Sequence, residues 1–106
     1  MERITMKIVA VTACIAGLAH TYMAKSNLEK SAKAKGYEIK VETQGAMGVE
    51  NRITQEEVDS ADVVIFAVDT NVTDRDRFEG KKIIKVGTKE AIRDGESVIA
   101  KAENEI

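Results

Sequence analysis

The sequence predicts a three-layer α/β fold in which a four-stranded parallel sheet, in the strand order 2-1-3-4, carries helices on both faces. Strand-like apolar runs alternate along the chain with helix-compatible segments, a pattern that implies right-handed crossovers between parallel strands. Two of the runs, residues 6–12 and 63–68, are almost continuously apolar, as is typical of strands buried on both faces. The 106 residues contain no linker or repeat, so we expect a single domain over residues 1–106.

The first half of the chain is expected to contain two strands and one helix. After the strand at residues 6–12, a helix is predicted from about residue 19 to residue 35, and Gly36 is a natural stop for it. One stripe of this helix carries its small and apolar residues, which are Ala24, Leu28 and Ala32. Residues 38–43 alternate in polarity and predict a second strand at an edge of the sheet, followed by a loop over residues 44–52.

The second half begins with the clearest helix start in the sequence. Thr54 and Glu57 form a capping box, and Ile53 with Val58 fits the hydrophobic staple around it. The helix that they begin is expected to be short, because the most apolar strand of the chain, residues 63–68, follows closely.

A charged connection over residues 69–80 comes next and is predicted to hold one helical turn near residues 74–78. Residues 83–86 are predicted to form the fourth strand. Thr88 is expected to cap a last helix, in which Gly95 is a weak point. The residues of this helix that should face inward are Ala91, Val98, Ile99 and Ala102.

Composition excludes several classes of function. Apolar residues at 43% and charged residues at 32% are typical of a globular chain. A net charge of -2 and an aromatic content of 4% indicate no nucleic-acid partner. The sequence has no apolar run long enough for direct membrane insertion and no secretory signal. A single cysteine excludes an internal disulfide. Because the chain has only one cysteine and one histidine, we expect no metal site, and we expect no cofactor.

The segment with the strongest functional signal runs from Thr12 to Thr21, directly after the first predicted strand. A strand, a short Gly-containing loop and a helix start together form an anion site, because their N–H groups converge and the helix dipole favours negative charge there. Cys14, the only cysteine, lies in this Rossmann-like or phosphatase-like phosphate loop. Such a position favours the nucleophilic thiolate. It therefore predicts a cysteine that accepts a phosphoryl group.

The spacing of this loop separates it from other phosphate loops. It contains neither G-x4-G-K-S/T nor G-x-G-x-x-G, so a nucleotide site is not indicated. A cysteine phosphatase would carry C-x5-R-S/T, whereas Cys14 is followed at that spacing by His20 and Thr21. Histidine lacks the bidentate clamp of arginine but offers an adjustable charge and N–H donors. The loop is therefore suited to hold a phosphocysteine until a partner arrives.

Four segments together resemble the fructose-type IIB component of the bacterial phosphoenolpyruvate-dependent sugar phosphotransferase system (PTS). They are the loop from Cys14 to Thr21 and residues 41–45, 61–65 and 77–81. The resemblance extends from about residue 6 to residue 102, and its most specific part is the C-x-x-G-x-A-H-T loop. It implies a four-stranded parallel sheet and the activity of a protein-N(π)-phosphohistidine–sugar phosphotransferase.

The resemblance also implies partners and site residues. Cys14 would take a phosphoryl group from a phosphohistidine of the IIA component and pass it to a sugar, fructose or fructose-like, held by the membrane component IIC. His20 would act beside the phosphoryl group, or would only cap and pack in the first helical turn. The phosphate cradle is expected to comprise Ile15, Ala16, Gly17, Leu18, Ala19, His20 and Thr21. For Thr21 a local backbone hydrogen bond is an equal alternative.

Two departures from the family pattern lie inside this loop. The family usually carries Pro-Thr where this chain has Ile15 and Ala16, which removes a fixed φ and one hydroxyl donor. The nucleophile and the backbone N–H groups are unaffected, so phosphotransfer is still expected. Ile15 could instead provide an apolar contact for the partner protein.

Three further residues are expected at the rim of the pocket, namely Gln44, Gly45 and Asp69. A plain turn is an equal alternative for the first two. Asp69 is not assigned catalysis, because a carboxylate repels a phosphoryl group. Arg75 and Arg77 could face an acidic partner or pair with aspartates in a solvated loop. Three loops should meet at the carboxyl ends of the strands: residues 13–19, 44–52 and 69–80.

Two other functions are compatible with the same residues. One is a low-molecular-weight cysteine phosphatase or arsenate reductase, against which the missing arginine and second cysteine weigh. The other is a redox-sensing or interaction module in which Cys14 is oxidised or buried. We expect a cytoplasmic protein, free or membrane-associated through IIC, and its end fits either a separate subunit or part of a longer IIB–IIC chain.

Overall fold

A computed structural model describes residues 6–45 and 48–105, which form a mixed five-stranded sheet with helices on both faces. The strands are β1 (Lys7–Ala13), β2 (Glu38–Gly45), β3 (Gly48–Glu50), β4 (Val63–Val68) and β5 (Ile83–Val86). The helices are α1 (Leu18–Ala34), α2 (Gln55–Ser60), α3 (Thr88–Arg93) and α4 (Gly95–Asn104), with a 3₁₀ turn at Arg75–Phe78. In the described ranges no helix combines the length and the apolar character that crossing a membrane requires.

The order of the strands is β3-β2-β1-β4-β5. Neighbouring pairs among β2, β1, β4 and β5 are parallel, and β3 runs antiparallel to β2. The predicted four-stranded parallel sheet in the order 2-1-3-4 therefore needs correction, because it left out β3. This strand has three exposed residues inside the predicted loop 44–52, too few for an alternating pattern. It covers β2, which consequently does not lie at the edge.

The sheet divides the core into two clusters. Helices α1, α3 and α4 cover one face, and their predicted inward-facing residues are all fully buried: Ala24, Leu28, Ala32, Ala91, Val98, Ile99 and Ala102. On the other face, Val58 of α2 and Phe78 of the 3₁₀ turn pack in one cluster with Val9 and Val11 of β1. Strand β1 thus contributes side chains to both clusters, as expected of a strand that is covered on both faces.

The start of α2 is confirmed in detail. The Thr54 hydroxyl accepts a hydrogen bond from the Glu57 N–H at 3.2 Å, and the Glu57 carboxylate accepts one from the Thr54 N–H at 2.8 Å. These two bonds are the predicted capping box. Ile53 and Val58, the predicted staple, are both buried.

The single last helix predicted after β5 is in fact two helices. Thr88 is the first residue of α3 rather than its N-cap. After the six residues of α3, Asp94 leaves the helical conformation and caps α4, accepting a hydrogen bond from the Ser97 N–H at 3.1 Å. The next residue, Gly95, packs so closely on α1 that a Cβ would lie 2.9 Å from the Asn27 carbonyl oxygen. Because glycine has no side chain, α4 can approach α1 closely at this position.

Candidate functional site

Cys14 directly follows the last residue of β1, at the carboxyl edge of the sheet, and its side chain is half-buried. The chain then turns, and the Gly17 N–H donates a hydrogen bond to the Cys14 carbonyl oxygen at 3.3 Å. Gly17 is the N-cap of α1 with a φ of 139°, a conformation that side chains other than glycine rarely adopt. This turn connects the thiol directly to the amino-terminal end of a 17-residue helix.

Two side chains contact the sulfur. The Cys14 thiol donates a hydrogen bond to Asp69 Oδ2 at 3.1 Å, and Sγ lies 3.7 Å from Nδ1 of the half-buried His20. The second carboxylate oxygen, Asp69 Oδ1, accepts a hydrogen bond from the Ile15 N–H at 3.0 Å. Asp69 therefore binds the thiol and the first amide of the loop at the same time.

The charge of Asp69 is favoured by these contacts. Hydrogen bonds from the Cys14 thiol and the Ile15 N–H hold the pKa of Asp69 below its ordinary value, although partial desolvation acts in the opposite direction. The carboxylate is consequently ionised at neutral pH. One of its oxygens accepts the hydrogen bond of the Ile15 N–H, a loop amide that was expected to bind a phosphoryl oxygen. In the unphosphorylated protein the Asp69 carboxylate therefore takes the position expected for the phosphoryl anion at this amide.

The other loop residues divide between open and packed positions. Ala16 and Ala19 are exposed, whereas Leu18 is half-buried. A Cβ on Gly45 would approach Leu18 Cδ2 to 2.6 Å, so the end of β2 lies directly against the loop. Thr21 is fully buried, and its hydroxyl donates to the carbonyl oxygen of the residue four positions earlier at 3.5 Å. The structure thus contains the local backbone hydrogen bond, one of the two alternatives for Thr21.

Gln44 lies beneath the rim and is only 6% exposed. Its Nε2 donates to the Thr73 carbonyl oxygen at 3.0 Å, and its Oε1 accepts from the Thr73 N–H at 2.8 Å. This paired contact joins the segment after β4 to the end of β2. Together with the contacts of Cys14 with Asp69 and of Leu18 with Gly45, it brings the three predicted loops to one edge of the sheet.

A buried ion pair lies next to this contact. Arg77 Nη1 and Nη2 donate to the two carboxylate oxygens of Glu42 at 2.7 and 2.9 Å, and Glu42 is fully buried. The Ile53 N–H and the Gln44 amide donate to the same carboxylate. Burial alone would raise the pKa of Glu42, but these donors outweigh it, so the pKa is lowered.

Sequence reasoning missed this pair. It treated residues 38–43 as an edge strand and placed Arg77 either against an acidic partner or in a solvated loop. The solvated pairing is found instead between Arg52 and Asp74, at 2.8 Å. No local pattern connects two residues 35 positions apart. The only available signal was that both residues lie within the segments that carry the family resemblance, 41–45 and 77–81.

Three large apolar side chains are exposed on the loop and the first turns of α1. Ile15 is 79% exposed, Met23 49% and Tyr22 42%. The Tyr22 hydroxyl donates to the Glu50 carboxylate of β3, which leaves the ring at the surface. Large apolar side chains exposed together on one segment are typical of a surface that binds another protein.

Comparison with known proteins shows to which family the chain belongs. Residues 9–101 match the family described as "PTS system, Lactose/Cellobiose specific IIB subunit". The chain is 50% identical over 97 residues to the PTS system fructose-like EIIB component 2 of Escherichia coli strain K12, covering 92% of each chain. It is 51% identical over 96 residues to the PTS system fructose-specific EIIB'BC component of Xanthomonas campestris, covering 91% of this chain but 16% of that protein.

Solved structures show the same fold. A domain of the fructose-specific IIABC component of Borrelia burgdorferi superposes with a TM-score of 0.87 at 50% identity, covering 94% of this chain and 95% of that one. The enzyme IIB subunit of the PTS of Escherichia coli K12 gives a TM-score of 0.88 at 38% identity, covering 95% and 94%. The chain therefore belongs to the PTS IIB family and is a phosphocarrier, a phosphotransferase component of the sugar phosphotransferase system.

Proposed function

We propose that Cys14 is the residue that carries the phosphoryl group in this IIB component. It takes the group from a phosphohistidine of the IIA component and passes it to a sugar, fructose or fructose-like, held by the membrane component IIC. The observation that carries the proposal is the position of the only cysteine, whose Sγ lies beside the start of α1 and 3.7 Å from His20 Nδ1. Family membership supplies the type of reaction, and this thiol is the nucleophile it needs.

The chemistry is a nucleophilic substitution at phosphorus. The sulfur forms the S–P bond as the P–N bond of the donor breaks, and the N–H groups of residues 15 and 16 and of the first turn of α1 stabilise the phosphoryl oxygens. His20 adds an N–H donor close to the sulfur. In the second half of the reaction a sugar hydroxyl attacks phosphorus and the sulfur leaves. The departure from Pro-Thr at Ile15 and Ala16 removes none of these groups.

Two observations support protein partners on both sides of the reaction. Ile15, Tyr22 and Met23 expose apolar surface on the loop after Cys14 and on the first turns of α1, which suits docking of a donor protein. Relatives named EIIB'BC and EIIBC are fused proteins of which this chain spans 16% and 20%, and their names favour a IIC partner. We therefore propose that residues 1–106 form one IIB domain acting at the cytoplasmic face of IIC. These comparisons do not favour a phosphatase, an arsenate reductase or a redox module.

Labelling with phosphoenolpyruvate tests the proposal. The protein is incubated with the general phosphotransferase components, a fructose-type IIA protein and phosphoenolpyruvate that carries a labelled phosphoryl group. The wild-type chain should accept one phosphoryl group and Cys14→Ser none. Ser26→Ala, at an exposed position of α1, is the matched control and should be labelled like wild type. Equal labelling of Cys14→Ser, or no labelling of wild type, would overturn the proposal.

A further inference from the structure

We propose that Asp69 is a catalytic residue of this transfer: its carboxylate takes the proton of the Cys14 thiol as the sulfur attacks phosphorus, and returns it when the phosphoryl group leaves. The inference rests on the proposed function of Cys14 and deepens it. It also changes the role of Asp69, which the sequence placed at the rim of the pocket without a part in catalysis.

The geometry of Asp69 is suited to proton transfer. Oδ2 lies 3.1 Å from Sγ, and Oδ1 is held by the Ile15 N–H at 3.0 Å, so the carboxylate is oriented as well as close. Strands β1 and β4 pair in register up to Ala13 and Val68, and the Asp69 N–H donates to the Ala13 carbonyl oxygen at 3.1 Å. Because the sheet fixes where both strands end, it also fixes the distance between the thiol and the carboxylate.

The transfer balances in protons and electrons. A donor phosphohistidine that is protonated on its second ring nitrogen leaves as neutral imidazole, keeping the electron pair of the P–N bond. A sulfur electron pair forms the S–P bond, and the S–H proton moves to Asp69 Oδ2. In the onward step the sugar oxygen bonds to phosphorus and releases its proton to water. The S–P electron pair returns to sulfur, which takes the proton back from Asp69.

Proton transfer also removes the charge conflict that a carboxylate would otherwise create at this position. In the free protein the hydrogen bonds to Asp69 keep it ionised. An incoming phosphoryl dianion repels the charged Asp69 carboxylate, while bond formation from sulfur to phosphorus makes the S–H group strongly acidic. The preferred position of the proton therefore changes from sulfur to carboxylate during the step. Protonated Asp69 no longer repels the phosphoryl group, and the Ile15 N–H becomes available to a phosphoryl oxygen.

The test is the pH dependence of transfer in Asp69→Asn, which keeps the size of the side chain but cannot take the proton. Single-turnover phosphorylation of Cys14 is measured with a phosphohistidine form of a fructose-type IIA protein. Near pH 6.5 the variant should be slower by roughly 10²-fold or more, the usual contribution of a general base. Above about pH 8.5, where cysteine thiols ordinarily ionise without help, its rate should approach that of wild type. Asp69→Ser should show the same convergence.

The other groups that face Asp69 are the same in both proteins. Within residues 6–45 and 48–105, they are His20 across the sulfur and Thr88 of α3, whose hydroxyl donates to the Ala13 carbonyl oxygen at 3.4 Å, so the ratio of the two rates isolates the carboxylate. Asp62→Asn is the matched control, since Asp62 precedes β4 at its opposite end and accepts the Lys7 N–H at 2.8 Å. It should transfer at the wild-type rate at every pH.

Two results would overturn the inference: an Asp69→Asn deficit that is the same at every pH, as a structural role would give, or no deficit at all. The same series includes wild type and Cys14→Ser. If phosphorylation is lost in Cys14→Ser but the Asp69 variants react at the wild-type rate, the proposed function of Cys14 is supported and only the role of Asp69 is overturned. No phosphorylation of wild type would overturn the function of Cys14 itself.

Discussion

At the scale of single residues, the site depends on where two neighbouring strands end. Cys14 comes one residue after β1 and Asp69 one residue after β4, so parallel pairing brings together side chains 55 positions apart. The first turn of α1 then adds His20 beside the sulfur. A thiol, a carboxylate and an imidazole thus meet although each belongs to a different segment of backbone.

Replacement of His20 by Ala tests the role of the imidazole. We expect the rate of Cys14 phosphorylation to fall roughly 10²-fold, the usual effect of losing one donor to a developing oxyanion. The fold should be retained, because His20 is only half-buried. Transfer kinetics and circular dichroism measure the two quantities. An unchanged rate in a folded variant would show that His20 only packs in the first turn.

Thr12 offers a stability prediction at the same scale. It is fully buried, and its hydroxyl has no hydrogen-bond partner among residues 6–45 and 48–105. Thr12→Val keeps the shape and removes the desolvated hydroxyl, so the free energy of unfolding should rise by about 1 kcal/mol. Urea denaturation measures the change. A lower free energy of unfolding would mean that the hydroxyl is satisfied in the folded protein.

At the scale of elements, the sequence predicted those features whose interactions are local. Strand β4 has the predicted bounds, residues 63–68, and the helical turn near residues 74–78 is present as Arg75–Phe78. The capping box of α2 depends on residues three apart and could be identified directly. Strand β3 could not, because its three exposed residues carry no apolar pattern and form a strand only by pairing with β2.

The break between α3 and α4 had a partial signal. Gly95 was recognised as a weak point in a helix, but the cap at Asp94 was not. Gly95 also lies close to Asn27 of α1, a contact between helices that no local pattern contains. The ion pair of Glu42 and Arg77 could not be predicted for the same reason. Its two side chains come together only in the folded protein, where β2 lies next to the 3₁₀ turn.

That ion pair is predicted to be essential for joining these elements. Glu42→Gln or Arg77→Met leaves the opposite charge buried without a charged partner, so each should lower the free energy of unfolding by about 3–5 kcal/mol. The double variant should lose less than the sum of the two, since neither charge then remains. Urea denaturation of the wild type, the two single variants and the double variant gives the coupling free energy between Glu42 and Arg77.

Arg52→Met is the matched control for this measurement, because Arg52 pairs with Asp74 at the exposed surface. It should change stability little. Additive effects of Glu42→Gln and Arg77→Met would show that the pair is not coupled in the folded protein.

At the scale of the whole molecule, the parallel part of the sheet explains why the site could be located from sequence. Carboxyl ends of parallel strands share one edge, so loops after β1, β2 and β4 were expected to meet, as they do through Cys14, Gly45 and Asp69. Which side chains touch depends on the register of the strands, and the sequence alone does not contain it. The hydrogen bond from Cys14 to Asp69 was therefore not foreseen.

Acid stability is a prediction for the molecule as a whole. The pKa of Glu42 is lower in the folded protein than in the unfolded chain, so its contribution is complete above the ordinary pKa of about 4.3 and is lost as pH falls through the lower folded value. The free energy of unfolding should therefore stay level from pH 7 to about pH 5 and fall below about pH 4. Urea denaturation at each pH should show a weaker acid dependence for Glu42→Gln than for wild type; equal dependence would contradict this account.

The central claim concerns which atom carries the phosphoryl group, and ³¹P NMR of the chain phosphorylated by a fructose-type phospho-IIA protein measures this most directly. The account predicts one resonance with the shift of a phosphorus–sulfur bond, together with a mass increase on the peptide that contains Cys14. A phosphorus–nitrogen resonance from His20, or phosphorylation that persists in Cys14→Ser, would contradict it.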